Sequence, residues 1–240
     1  MNYAIKLELI AANPCKNVHV VKTEKKSRDV YSLDELKLIL DRLEQKAPTN
    51  YRLFFMFMAY CGLRRGEVLG LEWKDIDLNS GVVSIVRTSQ YRNKSTGIYT
   101  TTPKTKGSYR SMILPKDILD ILAVYKQEQT KQRCDCGDQW VDSDRLFIKW
   151  NGSPMHPNTP YTWLERFCKR EDLPFKGEHS FRHSFATQAI TSGKIDIKTV
   201  SAILGHSQTS TTLNIYAHEV AEANAVAVNV IADILNDKKS

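Results

Sequence analysis

The sequence lacks the features of a secreted or membrane-spanning protein. No run of about 18 apolar residues is present, so no membrane span is expected. The first residues, MNYAIKLELI, contain neither the apolar core nor the small-residue cleavage site of a signal peptide. The five cysteines are odd in number and irregularly spaced, which argues against a disulfide framework and indicates a reducing compartment. We therefore expect a cytoplasmic protein.

Signatures of ATP-dependent and metal-dependent chemistry are also missing. No P-loop pattern, G-x-x-x-x-G-K-[ST], occurs in the chain. No dense cluster of Asp, Glu and His is present that would hold Mg²⁺ for a phosphoesterase. Cys134 and Cys136 form C-x-C without a second Cys or His pair nearby, so a solvent loop is favoured over a zinc site. We therefore expect neither a metal nor another cofactor.

Positive charge is in moderate excess. Lys and Arg number 34 against 27 Asp and Glu, which gives a formal net charge of +7. Such an excess suits a polyanionic partner, but a merely solvated basic surface would have the same composition. With 240 residues, of which 42% are hydrophobic, the chain can build a sizeable core in one large domain or two small ones.

Helical periodicity dominates the chain. Ser32 and Glu35 form a capping box, S-x-x-E, at the start of a helix. The nearly continuous apolar run 51–60 predicts a helix that is buried on most sides and ends at Gly62. Residues 1–12 look like the end of a helix. Further helices are predicted over 65–73, 115–132, 157–170, 179–192, 196–204, 207–214 and 219–235, with a polar loop over 133–144.

One stretch of the chain changes period. Residues 81–86, which are rich in β-branched side chains, predict a strand after a turn. Two more short strands are predicted over 98–102 and 111–114, with a basic hairpin over 103–110 between them. The expected fold class is therefore α+β, mainly α-helical with a small three-stranded antiparallel sheet.

The last third of the chain gathers residues that suit phosphoryl chemistry. His179 and Arg182 are spaced i,i+3 and would share one helix face, whereas His183, adjacent to Arg182, is expected to face elsewhere. An arginine can clamp phosphate oxygens, a histidine can move protons, and Tyr216 could be a nucleophile. Ordinary alternatives exist: His206 would cap a helix C-terminus, and Tyr216 would be a core residue.

Arg64 is a further candidate. It follows the glycine break at Gly62, between one predicted buried helix and the next. A charged side chain is seldom buried in a core without a partner of opposite charge. The ordinary alternative is a structural brace in which Arg64 or its neighbour Arg65 pairs with Glu67 or Glu72.

The basic hairpin supplies two lysine candidates, Lys104 and Lys106. A hairpin can place one ammonium group deep in a groove, where desolvation lowers the pKa of lysine and makes it a better proton donor. A loop that grips phosphate without taking part in catalysis is the alternative.

Four segments carry these candidates in a fixed order. They are GLRRGEVLGLEWKDID (62–77), TPKTKGSYRSMILP (102–115), HSFRHSFAT (179–187) and LGHSQTSTTLNIYAH (204–218). Each segment is a weak signal alone, but the ordered set resembles the catalytic domain of the tyrosine recombinases, the phage integrase family. The PKTK hairpin is similar to those of integrases from mobile elements and temperate phages.

The resemblance implies a division into three parts. Residues 1–29 would be the end of a core-binding domain and a basic interdomain linker, and residues 30–218 the catalytic domain. Residues 219–240 would form a C-terminal helix and tail. A C-terminal element packs on a neighbouring protomer in this family, so the resemblance implies exchange of this element between protomers in the DNA-bound tetramer, with packing on its own domain as the alternative.

The resemblance also implies a role for each candidate at the scissile phosphate. Arg64 and Arg182 would hold the non-bridging oxygens, and His206 would hydrogen-bond the phosphate. Tyr216 would attack phosphorus, giving a 3′-phosphotyrosyl bond and a free 5′-hydroxyl. The bond energy would be conserved, so strand exchange would need neither metal nor ATP.

Two proton transfers complete the implied mechanism. Lys104 would protonate the leaving 5′-oxygen, with Lys106 as the alternative acid because both lysines lie within reach in the hairpin. His179 would handle the proton of the tyrosine. No departure from the family pattern is seen at the six main positions.

The implied function is site-specific DNA recombination, with a type IB topoisomerase and a noncatalytic DNA-binding helix bundle as alternatives. The implied partner is double-stranded DNA carrying attachment sites, which would place the protein on the nucleoid. The protein would be a homotetramer on DNA and a monomer in isolation, with accessory directionality or bending proteins. Expected DNA contacts are Lys22, Lys25, Lys26, Arg87, Arg92, Lys94 and Lys106.

Overall fold

The computed structural model describes residues 2–16, 30–102, 109–206, 208–217, 220–221, 224 and 230. The helices are α1 Asn2–Lys6, α2 Leu33–Lys46, α3 Thr49–Cys61, α4 Arg65–Gly70, α5 Lys116–Cys136, α6 Thr159–Arg170, α7 His179–Thr191, α8 Ile197–Ile203 and α9 Thr209–Ile215, with 3₁₀ turns at Trp73–Asp75 and Gly137–Gln139. The strands are β1 Val82–Ile85, β2 Thr88–Tyr91, β3 Ile98–Thr101 and β4 Arg110–Ile113. The predicted helix over 219–235 lies largely outside the described residues.

Helix α3 forms the centre of the fold. Eight of its side chains are buried, and it packs against α2, α5 and α7. A helix that is apolar on all sides is stable only when neighbours cover it completely. It ends at Gly62, which has the left-handed φ of +61°. The sequence prediction of a mostly buried helix ending at this glycine is confirmed.

The capping box at the start of α2 is also confirmed. The Ser32 hydroxyl accepts a hydrogen bond from the Glu35 amide at 3.2 Å, and the Glu35 carboxylate accepts one from the Ser32 amide at 2.7 Å. Two backbone donors that the helix leaves without partners are thereby satisfied.

The sheet differs from the prediction. Four strands are described rather than three, in two antiparallel two-stranded sheets: β1 pairs with β4, and β2 pairs with β3. Strand β2, TSQY, was missed because it is polar and lacks apolar alternation. It packs against α4, where a Cβ atom on Gly66 would lie 2.4 Å from the Thr88 hydroxyl and one on Gly70 would lie 2.9 Å from the Arg87 carbonyl. The two glycines of α4 therefore allow this close approach.

Helix α5 runs further than expected. It continues to Cys136, so the start of the predicted polar loop over 133–144 is helical. Gly137, with a φ of +54°, follows the last helical residue. The helix-forming residues Lys131, Gln132 and Arg133 carry the helix through the polar stretch. No helix within the described ranges is both long enough and apolar enough to cross a membrane.

The buried side chains of the described residues form two clusters. The larger cluster extends from α2 through α3 and the β1 strand to α5, α6 and the start of α7. The smaller cluster contains Ala186, Ala189, Ile190, Val200, Leu204 and Tyr216. The candidate residue Tyr216 is therefore part of a satellite core that α7, α8 and α9 share.

Candidate active site

Arg182 lies at the junction of the two clusters. Its side chain is buried, and its guanidinium donates to the carbonyl of Gly62 and, at 2.7 Å, to that of Leu204. These carbonyls follow the ends of α3 and α8, where helices leave acceptors without intrahelical partners. Burial, followed by the charge of Arg64, lowers the pKa of Arg182 to about 9, which still leaves it charged at neutral pH.

Arg64 approaches the same place from the N-cap position of α4. Its guanidinium donates to Glu67 at 2.9 Å and to the carbonyl of Gly205 at 3.4–3.5 Å. Its amide also donates to Glu67, at 2.8 Å. The brace with Glu67 that the sequence offered as an alternative is therefore present, and it points Arg64 towards Gly205 rather than away from the site.

Arg65 does not pair with Glu67 or Glu72. Instead it donates at 2.9 Å to Glu178, a buried carboxylate next to His179. The sequence offered only nearby glutamates, whereas this partner lies 113 residues along the chain.

Arg110 is a member of the site that the sequence prediction missed. It lies at the start of β4, and its guanidinium donates to both carboxylate oxygens of Glu67, at 2.8 and 3.2 Å. Its side chain is 8% exposed. The available signal was alternation, because Arg110 and Met112 occupy the more buried positions of β4.

Glu67 is the anion that holds two of these arginines. Burial alone would raise the pKa of its carboxyl, but hydrogen bonds and charge from Arg110 and Arg64 outweigh burial and lower the pKa to about 2. Among the described residues, the site therefore contains three guanidiniums, those of Arg64, Arg110 and Arg182, around the carboxylate of Glu67. Two positive charges remain for an anion.

His206 contacts Arg182 on one side and α9 on the other. Its Nε2 atom lies 3.2 Å from the Arg182 guanidinium, and its Nδ1 atom lies 2.7 Å from the Thr212 hydroxyl. Burial and the charges of Arg182, Arg64 and Arg110 lower the pKa of His206 to about 4. The ring is therefore neutral at neutral pH. A guanidinium can only donate, so Nε2 accepts and Nδ1–H donates to Thr212.

Tyr216 lies at the C-terminal end of α9 with 3% of its side chain exposed. Its amide donates to the Thr212 carbonyl at 2.9 Å. Its hydroxyl lies 2.8 Å from Nδ1 of His183. The phenol is close enough to Arg182 to act on the pKa of that residue. Tyr216 is thus both a core residue and a neighbour of the buried arginine.

The contact with Tyr216 overturns one sequence expectation. His183 was expected to face away from the site, but its ring nitrogen meets the Tyr216 hydroxyl. The sequence held a signal for this contact, because His183 is spaced i,i+4 from His179 and such residues share a helix face. Its adjacency to Arg182 alone predicted the opposite orientation.

His179, the first residue of α7, is exposed beside an open groove of about 520 Å³. Arg64, Arg65, Tyr91 and His156 also line this groove. Loss of hydration, together with the positive charges of the nearby arginines, lowers the pKa of His179 despite the opposite effect of Glu178. The groove leads from solvent to Arg64.

A comparison with known families agrees with this geometry. Residues 30–223 match the family model described as the phage integrase family. The chain belongs to the phage integrase family. It matches a XerC-like tyrosine recombinase of Caldanaerobacter subterraneus subsp. tengcongensis at 27% identity over 97% of this chain and 63% of the relative. The ICEBs1 integrase of Bacillus subtilis matches at 27% identity over 97% of this chain and 62% of the relative.

This chain therefore spans less than two thirds of the length of either relative. Among solved structures, the Tn1549 transposon integrase in complex with circular intermediate DNA matches with a TM-score of 0.76 and 20% identity, over 95% of this chain and 76% of that chain. XerA recombinase matches with a TM-score of 0.62 and 20% identity, over 92% and 67%. The predicted family and fold class are confirmed.

In this integrase-family chain, the described residues that are expected to contact DNA differ in how exposed they are and in whether they form ion pairs. Arg87 forms ion pairs with Asp75 and, at 3.1 Å, with Glu72, and its side chain is only 16% exposed. These pairs hold Arg87 against the protein, so a DNA phosphate would have to compete with two carboxylates for its guanidinium. Arg92 and Lys94 are exposed at the turn between β2 and β3. Lys22, Lys25, Lys26, Lys104 and Lys106 lie outside the described residues.

The hydrogen bonds described above for the arginines, His206 and Tyr216 are made with residues other than cysteine. All five cysteines are free thiols, and Cys134 and Cys136 lie in the last turn of α5. Within the described ranges, no group of three or more His, Cys, Asp and Glu side chains is arranged to hold a metal ion.

Proposed function

We propose that this chain contains the DNA-cleaving domain of a site-specific recombinase that acts through a 3′-phosphotyrosyl intermediate. One observation carries the proposal. Arg64, Arg182, His206 and Tyr216 come from separate parts of the chain and meet around a site with two unbalanced positive charges. A phosphodiester under attack concentrates negative charge on its equatorial oxygens, and fixed guanidiniums stabilise that charge.

The arginines would bind the scissile phosphate through its non-bridging oxygens. Arg182 uses three of its five N–H groups on Gly62, Leu204 and His206, and the other two have no acceptor among the described residues. Arg64 keeps 40% of its side chain exposed towards the groove. Arg110 would contribute positive charge and, through Glu67, hold Arg64 in place.

His206 would donate a hydrogen bond to the phosphate from Nε2, which requires the other tautomer. This change of tautomer costs little free energy, because the Thr212 hydroxyl can either accept from Nδ1–H or donate to Nδ1. When a phosphate oxygen replaces Nε2 as the acceptor of Arg182, the ring can transfer its proton to the Nε2 side without losing its contact with α9.

Tyr216 would attack phosphorus and Lys104 would protonate the leaving 5′-oxygen, with Lys106 as the alternative acid. His179, on the groove side of α7, would bind the phosphate or handle a proton. Reversal of the same steps rejoins a strand, and the phosphotyrosyl bond supplies the energy.

The proposed substrate is double-stranded DNA at attachment sites, bound by a homotetramer with accessory directionality or bending proteins. Three divisions of the chain accompany this proposal. Residues 1–29 end a core-binding domain and link it to the catalytic domain of 30–218, and 219–240 form a C-terminal element that packs on its own domain or on a neighbouring protomer. The relatives named above are recombinases and integrases, which favours a recombinase over a topoisomerase.

A suicide substrate tests the proposed reaction. DNA carrying the cognate attachment site, with a nick near the cleavage point, traps the covalent intermediate because the short 5′-product diffuses away. The protein that carries this chain is expected to form an adduct that survives denaturant and needs no Mg²⁺, and Tyr216→Phe is expected to abolish it. A parent protein that forms no adduct on its attachment sites, or a Tyr216→Phe variant that still forms one, would contradict the proposal.

Salt dependence tests the DNA contacts at the β2–β3 turn. Arg92→Ala and Lys94→Ala are each expected to reduce the slope of log K against log salt by about one, because each removes one phosphate contact. Arg87→Ala is a poor comparator because Arg87 supports the fold. Lys74→Ala removes an exposed charge already paired with Glu72 and should leave the slope unchanged.

A further inference from the structure

The hydroxyl of Tyr216 is hydrogen-bonded to a histidine outside the set that the family resemblance supplies. Nδ1 of His183 lies 2.8 Å from this oxygen, and the two rings are tilted at 54° with centroids 6.0 Å apart. The contact joins α7 to the end of α9 across 33 residues. A distance of 2.8 Å is that of a well-formed hydrogen bond to a hydroxyl.

We propose that His183 is the general base that accepts the proton of Tyr216 when the tyrosine attacks phosphorus. This assignment rests on the proposed function, and it replaces His179, which the family resemblance assigns to this proton, with the histidine that contacts the phenol. A phenol with an ordinary pKa of about 10 is a weak nucleophile at neutral pH, so the attack needs an acceptor within hydrogen-bond distance.

The two other histidines of the site are less suited to this step. His206 Nε2 accepts from Arg182, and its Nδ1 faces Thr212. His179 is exposed at the groove beside Arg64 and Arg65, where it can meet phosphate oxygens. His183 is the histidine whose ring nitrogen already meets the phenol.

The placement of Arg182 supports the same step. It is adjacent to His183 on α7, and the phenol of Tyr216 acts on its pKa, so the developing phenolate lies close to a buried positive charge. A buried guanidinium stabilises a neighbouring phenolate more strongly than an exposed one would. His183 takes the proton while Arg182 stabilises the charge that the proton leaves behind.

The bonds and protons balance over the step. The Tyr216 O–H bond breaks and its proton forms an N–H bond at Nδ1 of His183, while the phenolic oxygen forms the bond to phosphorus. The bond from phosphorus to the 5′-oxygen breaks, and that oxygen takes a proton from the lysine acid. In rejoining, the 5′-hydroxyl returns its proton to the lysine, and protonated His183 gives its proton to the departing Tyr216 oxygen.

The tautomer of His183 provides a test in the absence of DNA. As a base, His183 must carry no proton at Nδ1 while the Tyr216 hydroxyl donates to it. Side-chain ¹⁵N spectra of the full chain, with His183 assigned through His183→Asn, are expected to show an unprotonated Nδ1 whose resonance shifts in Tyr216→Phe. A protonated Nδ1, or a resonance unaffected by Tyr216→Phe, overturns the proposal.

Cleavage kinetics provide the second test, in the protein that carries the chain. His183→Asn keeps a polar atom near the position of Nδ1 but cannot take up a proton, and it is expected to slow adduct formation about 100-fold or more. A substrate with sulfur in place of the bridging 5′-oxygen has a good leaving group and needs no acid. It should therefore rescue the double variant Lys104→Ala, Lys106→Ala but not His183→Asn.

The outcomes separate this assignment from the proposed function. Rescue of His183→Asn by the sulfur substrate, or an adduct rate within about threefold of the parent, overturns the role of His183 as base. His183→Ala guards against a purely positional effect: if Asn restores the rate that Ala loses, the role is positional and the proposal is wrong. A parent protein without any adduct would contradict the proposed function, whereas a parent protein that forms adduct while His183→Asn keeps its rate would contradict the His183 assignment alone.

Discussion

At the scale of single residues, Thr212 connects His206 to the segment that carries Tyr216. Its buried hydroxyl bonds the histidine, and its carbonyl accepts the Tyr216 amide. Thr212→Val keeps the shape but removes the hydroxyl, which should lower the free energy of unfolding by about 1 kcal/mol. Adduct formation should slow about tenfold because the histidine loses its orientation.

Thr212→Ser is the matched control for this prediction, since it keeps the hydroxyl and loses only a methyl group. It should form adduct at nearly the parental rate in the nicked-substrate assay. Equal rates for the valine and serine variants would show that the hydroxyl does not orient His206.

Glu67 should control stability at low pH. The pKa of its carboxyl is about 2 in the folded protein against an ordinary 4.5, so the unfolded chain binds more protons between these values and stability falls as pH decreases through that window. The full effect is about 3 kcal/mol. Denaturant unfolding of Glu67→Gln should show lower stability at pH 7 and a flatter dependence below pH 4.5, whereas the exposed-site control Glu165→Gln should keep the parental slope.

His206 should affect the free energy of unfolding mainly at higher pH than Glu67 does. Its pKa is lowered from 6.5 to about 4, so the unfolded chain takes up a proton that the folded chain refuses between these values. Stability should therefore decrease as pH falls from 6.5 towards 4, and His206→Asn should flatten this part of the unfolding curve while leaving the acid window of Glu67. An unchanged slope between pH 6.5 and 4 in His206→Asn would contradict this assignment.

The site residues that were predicted from the sequence differ from those that were missed in whether local sequence features mark them. Arg64, Arg182, His206 and Tyr216 lie in local frames set by glycines and helix ends, which leave a trace in the sequence. Arg110 acts through Glu67, 43 residues away, and no local pattern records that pairing. His183 was recognisable from its i,i+4 spacing to His179, but its partner on α9 depends on how the helices pack.

At the scale of elements, the turn after α8 brings backbone and arginines unusually close. Gly205 has a φ of +60°, and a Cβ atom there would lie 2.6 Å from the Arg110 guanidinium and 3.5 Å from that of Arg64. Gly193 has a similar φ of +63°, but nothing lies within 4 Å of a Cβ atom there. A comparison of Gly193 with Gly205 therefore distinguishes the cost of a left-handed backbone from the cost of a clash with the arginines.

Alanine at each position should reveal that difference. Both variants carry the strain of a left-handed residue, about 1 kcal/mol. Gly205→Ala should lose a further 1–3 kcal/mol or so because the arginines must move, and it should form far less adduct. Thermal unfolding and the nicked-substrate assay check both effects, and equal losses for Gly193→Ala and Gly205→Ala would show that crowding at the arginines is unimportant.

Most elements could be predicted because their signals are local. The capping box of Ser32 and the glycine after α3 appear as predicted. Asp196, the first residue of a predicted helix, caps α8 by accepting a hydrogen bond from the Thr199 amide. The sheet was harder. Strand β2 is short and polar, and its stability comes from packing on the glycines of α4 and pairing with β3, which are tertiary effects.

At the scale of the whole molecule, the two hydrophobic clusters differ greatly in size. Within the described part of the chain, the smaller one, which holds Tyr216 and Leu204, has six buried members, whereas the larger one spans most of the domain. Fewer buried contacts give a lower free energy of local opening. Hydrogen exchange should therefore be faster in the amides of α8 and α9 than in those of α3. Exchange of both sets only through global unfolding would show that the clusters behave as one unit.

Arg182 connects these clusters by donating to the carbonyls that follow α3 and α8. The same side chain that would grip DNA therefore helps to hold the helices together. Because Arg182 would serve both DNA binding and folding, it should evolve differently from Tyr216. In a copy of the gene released from selection for recombination but still selected to fold, we expect Tyr216 to be replaced early, because phenylalanine can fill its place in the core. Arg182 should persist much longer, so an intact arginine in a relative would be poor evidence that the relative still cuts DNA.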